Sequence, residues 1–159
     1  VDSYEQPIER PSEYQEQKKY YSGKKKNHTR KGQIIVLPSG KDIVDIVTDK
    51  PGSQSDISLF HERKEKFDKE QKFSRDKACQ GEEVIKSPKK KPKNKELTSL
   101  EKERNKQLAS ERIFVEHLIR LIKVFRIAQE RFRLNSSKYE QVIMAVCGLV
   151  RLRISTLIF

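Results

Sequence analysis

The sequence predicts a domain of mixed strand and helix, α/β or α+β, and three observations carry that prediction. Residues 111–126 hold the longest helical period in the chain. There Phe114, Leu118, Leu121 and Phe125 recur at i, i+4, i+7 and i+11 as one apolar stripe, with Val115, Ile119 and Ile122 along its edge. Residues 33–37 (Gln-Ile-Ile-Val-Leu) and 43–47 (Ile-Val-Asp-Ile-Val) are short β-branched runs on either side of Pro38-Ser39-Gly40, the pattern of an antiparallel hairpin. The chain then runs strand, hairpin, helix, strand, basic loop, long helix, helix, which is a mixed architecture with no internal repeat.

Taken in order, Val1, Ser3 and Tyr4 have strand character that Pro7 ends, and this strand is expected to begin before the first residue given. Residues 11–19 are polar and turn-like or weakly helical. Residues 20–29 read Tyr-Tyr-Ser-Gly-Lys-Lys-Lys-Asn-His-Thr, a basic segment opened by two tyrosines. It lacks the second glycine and the Lys-Ser/Thr ending of a phosphate-binding P-loop. It reads either as a solvated loop or as a loop that tracks a phosphate backbone. Pro51-Gly52 is a turn, and Ser55 or Asp56 caps a helix that opens with Ile57, Leu59 and Phe60. Phe73-Ser74 is expected as the end of another strand. Residues 87–95 form a proline-punctuated lysine run that excludes helix or a central strand. Thr98 with Glu101 resembles a capping box, and helix is expected from there to about Arg133. Residues 135–137 break it. Residues 138–157 make a last helix with Val142, Val146, Leu149 and Val150 inward.

Composition narrows the partners. The 159 residues are 34% hydrophobic and 36% charged, so the core is confined to a few segments. Lys and Arg number 35 against 23 acids, a net charge of +12 that favours a polyanion such as DNA, RNA or an anionic membrane. The apolar run 142–150 is cut by Arg151 and Arg153, too short and charged for a membrane span. Cys79 and Cys147 are far apart, and His28, His61 and His117 are scattered. That argues against a zinc site or a disulfide framework and for a reducing compartment.

Four carboxylates stand at element boundaries or beside apolar residues: Asp2, Asp56, Asp76 and Glu116. Acids from strand ends and a helix can converge on hard divalent cations, which prefer oxygen ligands. Two such ions activate the attacking oxygen and stabilise the leaving oxygen of a phosphodiester. Spacing alone leaves the alternatives open. Asp56 also reads as a helix cap. Glu116 also reads as the i,i+4 ion-pair partner of Arg120, flanked by Arg112 and Lys123.

Five blocks carry a resemblance: residues 1–11 (Val-Asp-Ser-Tyr-Glu-Gln-Pro-Ile-Glu-Arg-Pro), residues 20–29, Pro51-Gly52 with Ser55-Asp56 and Leu59-Phe60, Asp76-Lys77-Ala78, and residues 112–117 (Arg-Ile-Phe-Val-Glu-His). In this order they resemble the catalytic part of bacterial insertion-sequence transposases of the DDE superfamily, with a Harbinger-like nuclease domain. The resemblance covers nearly the whole chain. It implies an RNase H-like mixed sheet flanked by helices, with the first core strand truncated and the family's N-terminal DNA-binding region missing. It implies a nuclease domain over residues 1–134, with the basic loop at 87–95, and a C-terminal helix over 135–159 on the same domain. It implies Mg²⁺- or Mn²⁺-dependent cleavage and strand transfer at transposon ends. Asp2, Asp76 and Glu116 correspond to the catalytic triad, and Asp56 to an accessory metal-site acid. Lys24, Lys25, Lys26, Arg112, Arg120 and Lys123 are then expected to hold phosphates. The implied partner is double-stranded DNA, within a homo-oligomer on that DNA, in a bacterial cytoplasm at the nucleoid and without a membrane. A remnant that only binds DNA is the alternative.

Overall fold

The structure is a computed structural model, which describes residues 1–40, 42–68, 70, 71, 73, 74, 85, 86 and 96–156. The expected lysine run at 87–95 and Asp76 lie outside the described residues. The centre is an antiparallel meander. β1 (Asp2–Pro7) and β4 (Ile43–Pro51) pair with opposite edges of β3 (Asn27–Val36), and β2 (Tyr21–Ser22) pairs with the start of β3. A separate parallel pair joins β5 (Phe73–Ser74) to β6 (Ile85–Lys86). Helix α1 (Tyr14–Tyr20) lies between β1 and β2, and α2 (Asp56–Lys64) follows β4. Then come α3 (Ser99–Val124), the short α4 (Arg126–Gln129), a 3₁₀ turn (Ser136–Lys138) and α5 (Tyr139–Thr156). The architecture is thus mixed α/β, with an antiparallel sheet and helices.

The hairpin expected at 33–47 is present, but its first strand begins six residues early, at Asn27. The reason is burial. Residues 29–35 of β3 are all buried, because strands cover both edges and helices cover both faces. On one face Tyr4, Ile34, Val115, Leu118, Ile122, Tyr139, Ile143 and Val150 form the main core with α3 and α5. On the other, Ile35 packs with Phe60 and Phe73. The polar residues Thr29, Arg30, Lys31 and Gln33 are therefore buried within a strand, of which only Gln33 falls in the expected run and Thr29 falls in the segment read as a basic loop.

β1 is not frayed. All six of its residues pair with β3, from Asp2 opposite Ile34 to Pro7 opposite Thr29. Alternation along the strand sends successive side chains to opposite faces. Tyr4 lies across from Gly32, and its ring occupies the space a side chain there would need: a Cβ on Gly32 would stand 2.5 Å from the ring.

Thr98 caps α3 as expected, with its hydroxyl accepting from the Glu101 amide at 3.3 Å and its amide donating to Glu101 Oε2 at 2.9 Å. The helix ends nine residues short of Arg133, at Val124, because Phe125 is extended. Tertiary contacts explain the break. The buried Gln6 amide donates to the carbonyls of Ile127 and Glu130, at 2.6 and 2.9 Å, and the Phe132 amide donates to the Pro7 carbonyl at 2.9 Å. These bonds fold the chain back onto β1. The buried stripe of α3 is Val115, Leu118, Ile119 and Ile122, whereas Phe114 is 43% exposed. Phe114 instead covers the left-handed Gly40 of the β3–β4 turn, where a Cβ would stand 2.6 Å from its ring. In α5 the buried residues are Tyr139, Ile143, Val146, Cys147 and Val150, and Leu149 turns outward. No described helix is long and apolar enough to cross a membrane.

Gly32→Ala is expected to destabilise the fold by about 2 kcal/mol, the usual cost of overpacking a filled site. Urea unfolding measures it, and pairing the change with Tyr4→Leu should recover part of the loss.

Candidate functional site

Asp2 and Glu116 come from elements that face one another. Asp2 opposes Ile34, whose side chain lies in the core with Val115 and Leu118 of α3, and directly opposed residues project to the same face. Asp2 therefore belongs to the α3 side of the sheet, and its Oδ1 accepts the Ser3 amide at 2.8 Å. Glu116 is half-buried on α3, next to the buried Val115. Lys123 is seven residues further on, which places it on nearly the same line of the helix about 10 Å along its axis.

Electrostatics links Lys123 to Asp2 and to the lysine-rich turn. Burial pulls the Lys123 ammonium below its ordinary value, and the nearby charge of Lys25 pulls it the same way, while Asp2 opposes the shift. The lysine-rich turn, the end of α3 and the start of β1 thus share one charged neighbourhood. Lys24, Lys25 and Lys26 are all exposed in the turn between β2 and β3, and Arg120 is exposed on α3. For Arg112 only the helical backbone is described.

The opposite face holds a second constellation, which sequence reasoning largely missed. Lys31 is buried, with only 10% of its side chain exposed. Its Nζ donates to the Gln54 carbonyl at 2.6 Å and stands 3.1 Å from Asp56 Oδ1 and 3.9 Å from Glu5 Oε1. The Asp56 contact is an ion pair, with Oδ1 buried beside the ammonium. Glu5 is the direct cross-strand partner of Lys31 and also accepts from Thr29 Oγ1 at 2.9 Å. Gln33 bridges Ser3 Oγ and the Asp56 carbonyl, at 3.3 and 3.1 Å. Ser55, rather than Asp56, caps α2 by accepting the Ser58 amide at 3.1 Å. The Pro51-to-Asp56 segment is thereby bolted to β3.

The structure therefore divides the predicted acids. Asp2 and Glu116 belong to the α3 side. Asp56 stands on the α2 side with Lys31, and Asp76 lies outside the described residues. Among the described residues, no three His, Cys, Asp or Glu side chains group closely enough to hold a metal ion.

Comparison with known proteins decides the family. The model of the DDE superfamily endonuclease family matches residues 1–151, which include both strand-borne and helix-borne acids. The chain belongs to the DDE superfamily endonucleases. It is also 37% identical over 137 residues to the "Probable transposase for insertion sequence element IS702" of Microchaete diplosiphon, a match covering 84% of this chain and 49% of that protein. The chain thus spans about half the length of this curated relative. No solved structure matches it.

Replacing Lys31 by methionine leaves Glu5 buried without its cation and releases Asp56. Breaking a buried pair in this way costs several kcal/mol, and the half-exposed Asp56 reduces the loss, so about 2–3 kcal/mol is expected. Urea unfolding would measure it, and the double variant Lys31→Met with Glu5→Gln should be more stable than Lys31→Met alone.

Proposed function

We propose that the chain is the catalytic domain of a transposase with an RNase H-like nuclease fold, which cleaves DNA at transposon ends and transfers the freed strand. Membership of the endonuclease family supplies the reaction class. The observation that carries the site assignment is the presentation of Asp2 and Glu116 from opposed elements on one side of the sheet. Both offer hard oxygen donors of the kind Mg²⁺ and Mn²⁺ prefer. Asp76 completes the ligand set in this reading. A bound divalent ion would supply charge neutralisation at the phosphodiester and a more acidic attacking hydroxyl.

The residues of the chain do the rest. β1 holds the Asp2 carboxylate through its backbone pairing with β3, so its position does not depend on a flexible loop. The packed stripe of α3 fixes the rotation of the helix and hence the direction in which Glu116 is offered. Lys24, Lys25, Lys26, Arg120 and Lys123 form a basic surface beside these acids that would hold phosphates, and Arg112 joins them by its place on α3. The half-buried Lys123 is suited to a phosphate near the reacting bond, since a partly desolvated ammonium gains more from an anion than a hydrated one does. With Asp56 engaged by Lys31, it acts as an anchor for the α2 segment, and the metal-holding role rests on Asp2, Asp76 and Glu116.

The assay is nicking of duplex DNA carrying the cognate ends. Activity is expected with Mg²⁺ or Mn²⁺ and not with EDTA. Asp76→Ala and Glu116→Gln should each reduce it at least about a hundred-fold, the scale of losing a transition-state electrostatic contact, while DNA affinity persists. DNA binding that stays metal-independent, with no nicking under any condition, would leave the DNA-binding remnant as the better reading.

A further inference from the structure

The basic turn between β2 and β3 is built around aromatic rings that phosphate binding alone does not require. Tyr21 opens β2 with 45% of its surface exposed. It pairs in register with His28, and the two rings meet edge to face with centroids 5.6 Å apart. Both residues sit on paired backbone, so the rings stand on a rigid base. Ser22, the next residue, is buried, and its Oγ accepts the Lys25 amide at 3.3 Å, which draws the turn back against the strand. Lys24, Lys25 and Lys26 are left exposed around it.

Lys26 adds a second, independent observation. Its φ is 49°, in the left-handed region where glycine or asparagine is the usual residue and a lysine side chain is strained. A charged residue held in that conformation is a pointer to function.

We propose that Tyr21, backed by His28 and ringed by Lys24, Lys25 and Lys26, grips an unpaired nucleotide at a DNA end. The base stacks on the Tyr21 ring and the lysines hold the adjoining phosphates. This rests on the DNA-processing reading above and adds the substrate class: a duplex with a frayed or single-stranded end. In an intact duplex, neighbouring base pairs cover the base faces, so an exposed tyrosine gains nothing from them. Cations suffice for phosphates, whereas a ring beside cations is the combination that binds single strands.

The test compares binding of the full chain to a blunt duplex and to the same duplex with a short single-stranded overhang carrying 2-aminopurine. The overhang is expected to bind roughly five- to a hundred-fold more tightly, the range for one stacked base, with quenching of the 2-aminopurine fluorescence. Tyr21→Ala should abolish the preference and the quenching, and Tyr21→Phe should keep both. Lys25→Ala should weaken both DNAs equally and flatten their salt dependence. Equal binding of the two DNAs by the wild-type chain, or a preference and quenching that survive Tyr21→Ala, overturns this proposal and leaves the transposase reading intact. Failure to bind either DNA overturns both. If Tyr21→Ala does not fold, the wild-type comparison and the Tyr21→Phe quenching still decide.

Discussion

The fold depends on the burial of two adjacent cations in its central strand. Arg30 and Lys31 are successive residues of β3, so they project to opposite faces of the sheet, and each is only 8% exposed. An unpaired charge in such a place is prohibitively costly, so each must gather counter-charges and acceptors from elsewhere in the chain. Lys31 gathers Glu5 from β1, with Gln54 and Asp56 from the approach to α2. Arg30 pairs with Asp49 of β4, donates to the Ser136 carbonyl at 3.2 Å, and lies against the rings of Tyr20 and Tyr139, at 5.5 and 5.0 Å. Between them the two side chains bring β1, β4, α1, the approach to α2 and the start of α5 to one strand. Burial raises the Asp49 carboxyl above its ordinary value despite Arg30, with Glu140 adding to the shift.

The candidate site follows from this arrangement. Once β1 is registered against β3, alternation assigns Asp2, Tyr4 and Gln6 to the α3 side and Ser3 and Glu5 to the α2 side. Gln6 then captures the carbonyls of Ile127 and Glu130, which ends α3 and sets its position along β1. Glu116 and Lys123 lie on the stretch of helix that results. Asp2 is thus positioned by one registered strand, and Glu116 and Lys123 by one packed helix, while Lys24, Lys25 and Lys26 stand on the turn between β2 and β3.

Legibility in the sequence followed how local each determinant is. The β3–β4 hairpin, the Thr98–Glu101 capping box and a helix cap at Ser55 or Asp56 were readable because turn chemistry and capping are local. The true start of β3 was not, since a strand holding Arg30 and Lys31 looks solvated until its partners are known. A long polar strand directly after a tight turn was the one available signal. The end of α3 was hidden because Gln6, more than a hundred residues away, causes it. The phases of Phe114 and Leu149 were misjudged because an amphipathic pattern has more apolar positions than one buried face can take. Phe114 spends its ring on the Gly40 turn instead. Among the site residues, Asp2 and Glu116 stood out weakly by their place at element boundaries or beside apolar residues, the resemblance to a family supplied their ligand role, and local pattern left Glu116 open between an ion pair and a ligand. Glu5 and Lys31 were missed because a buried Lys–Glu cross-strand pair leaves no trace in composition or period.

The central claim is that Asp2 and Glu116 share one divalent ion on the α3 side of the sheet while Asp56 does not. Titration of the isotopically labelled chain with Mn²⁺, followed by paramagnetic broadening of its amide resonances, tests this most directly. The account predicts broadening centred on residues flanking Asp2 and Glu116, lost in Glu116→Gln, with the amides around Lys31 and Gln54 less affected. Broadening centred on Asp56 and Glu5, unchanged by Glu116→Gln, would contradict it.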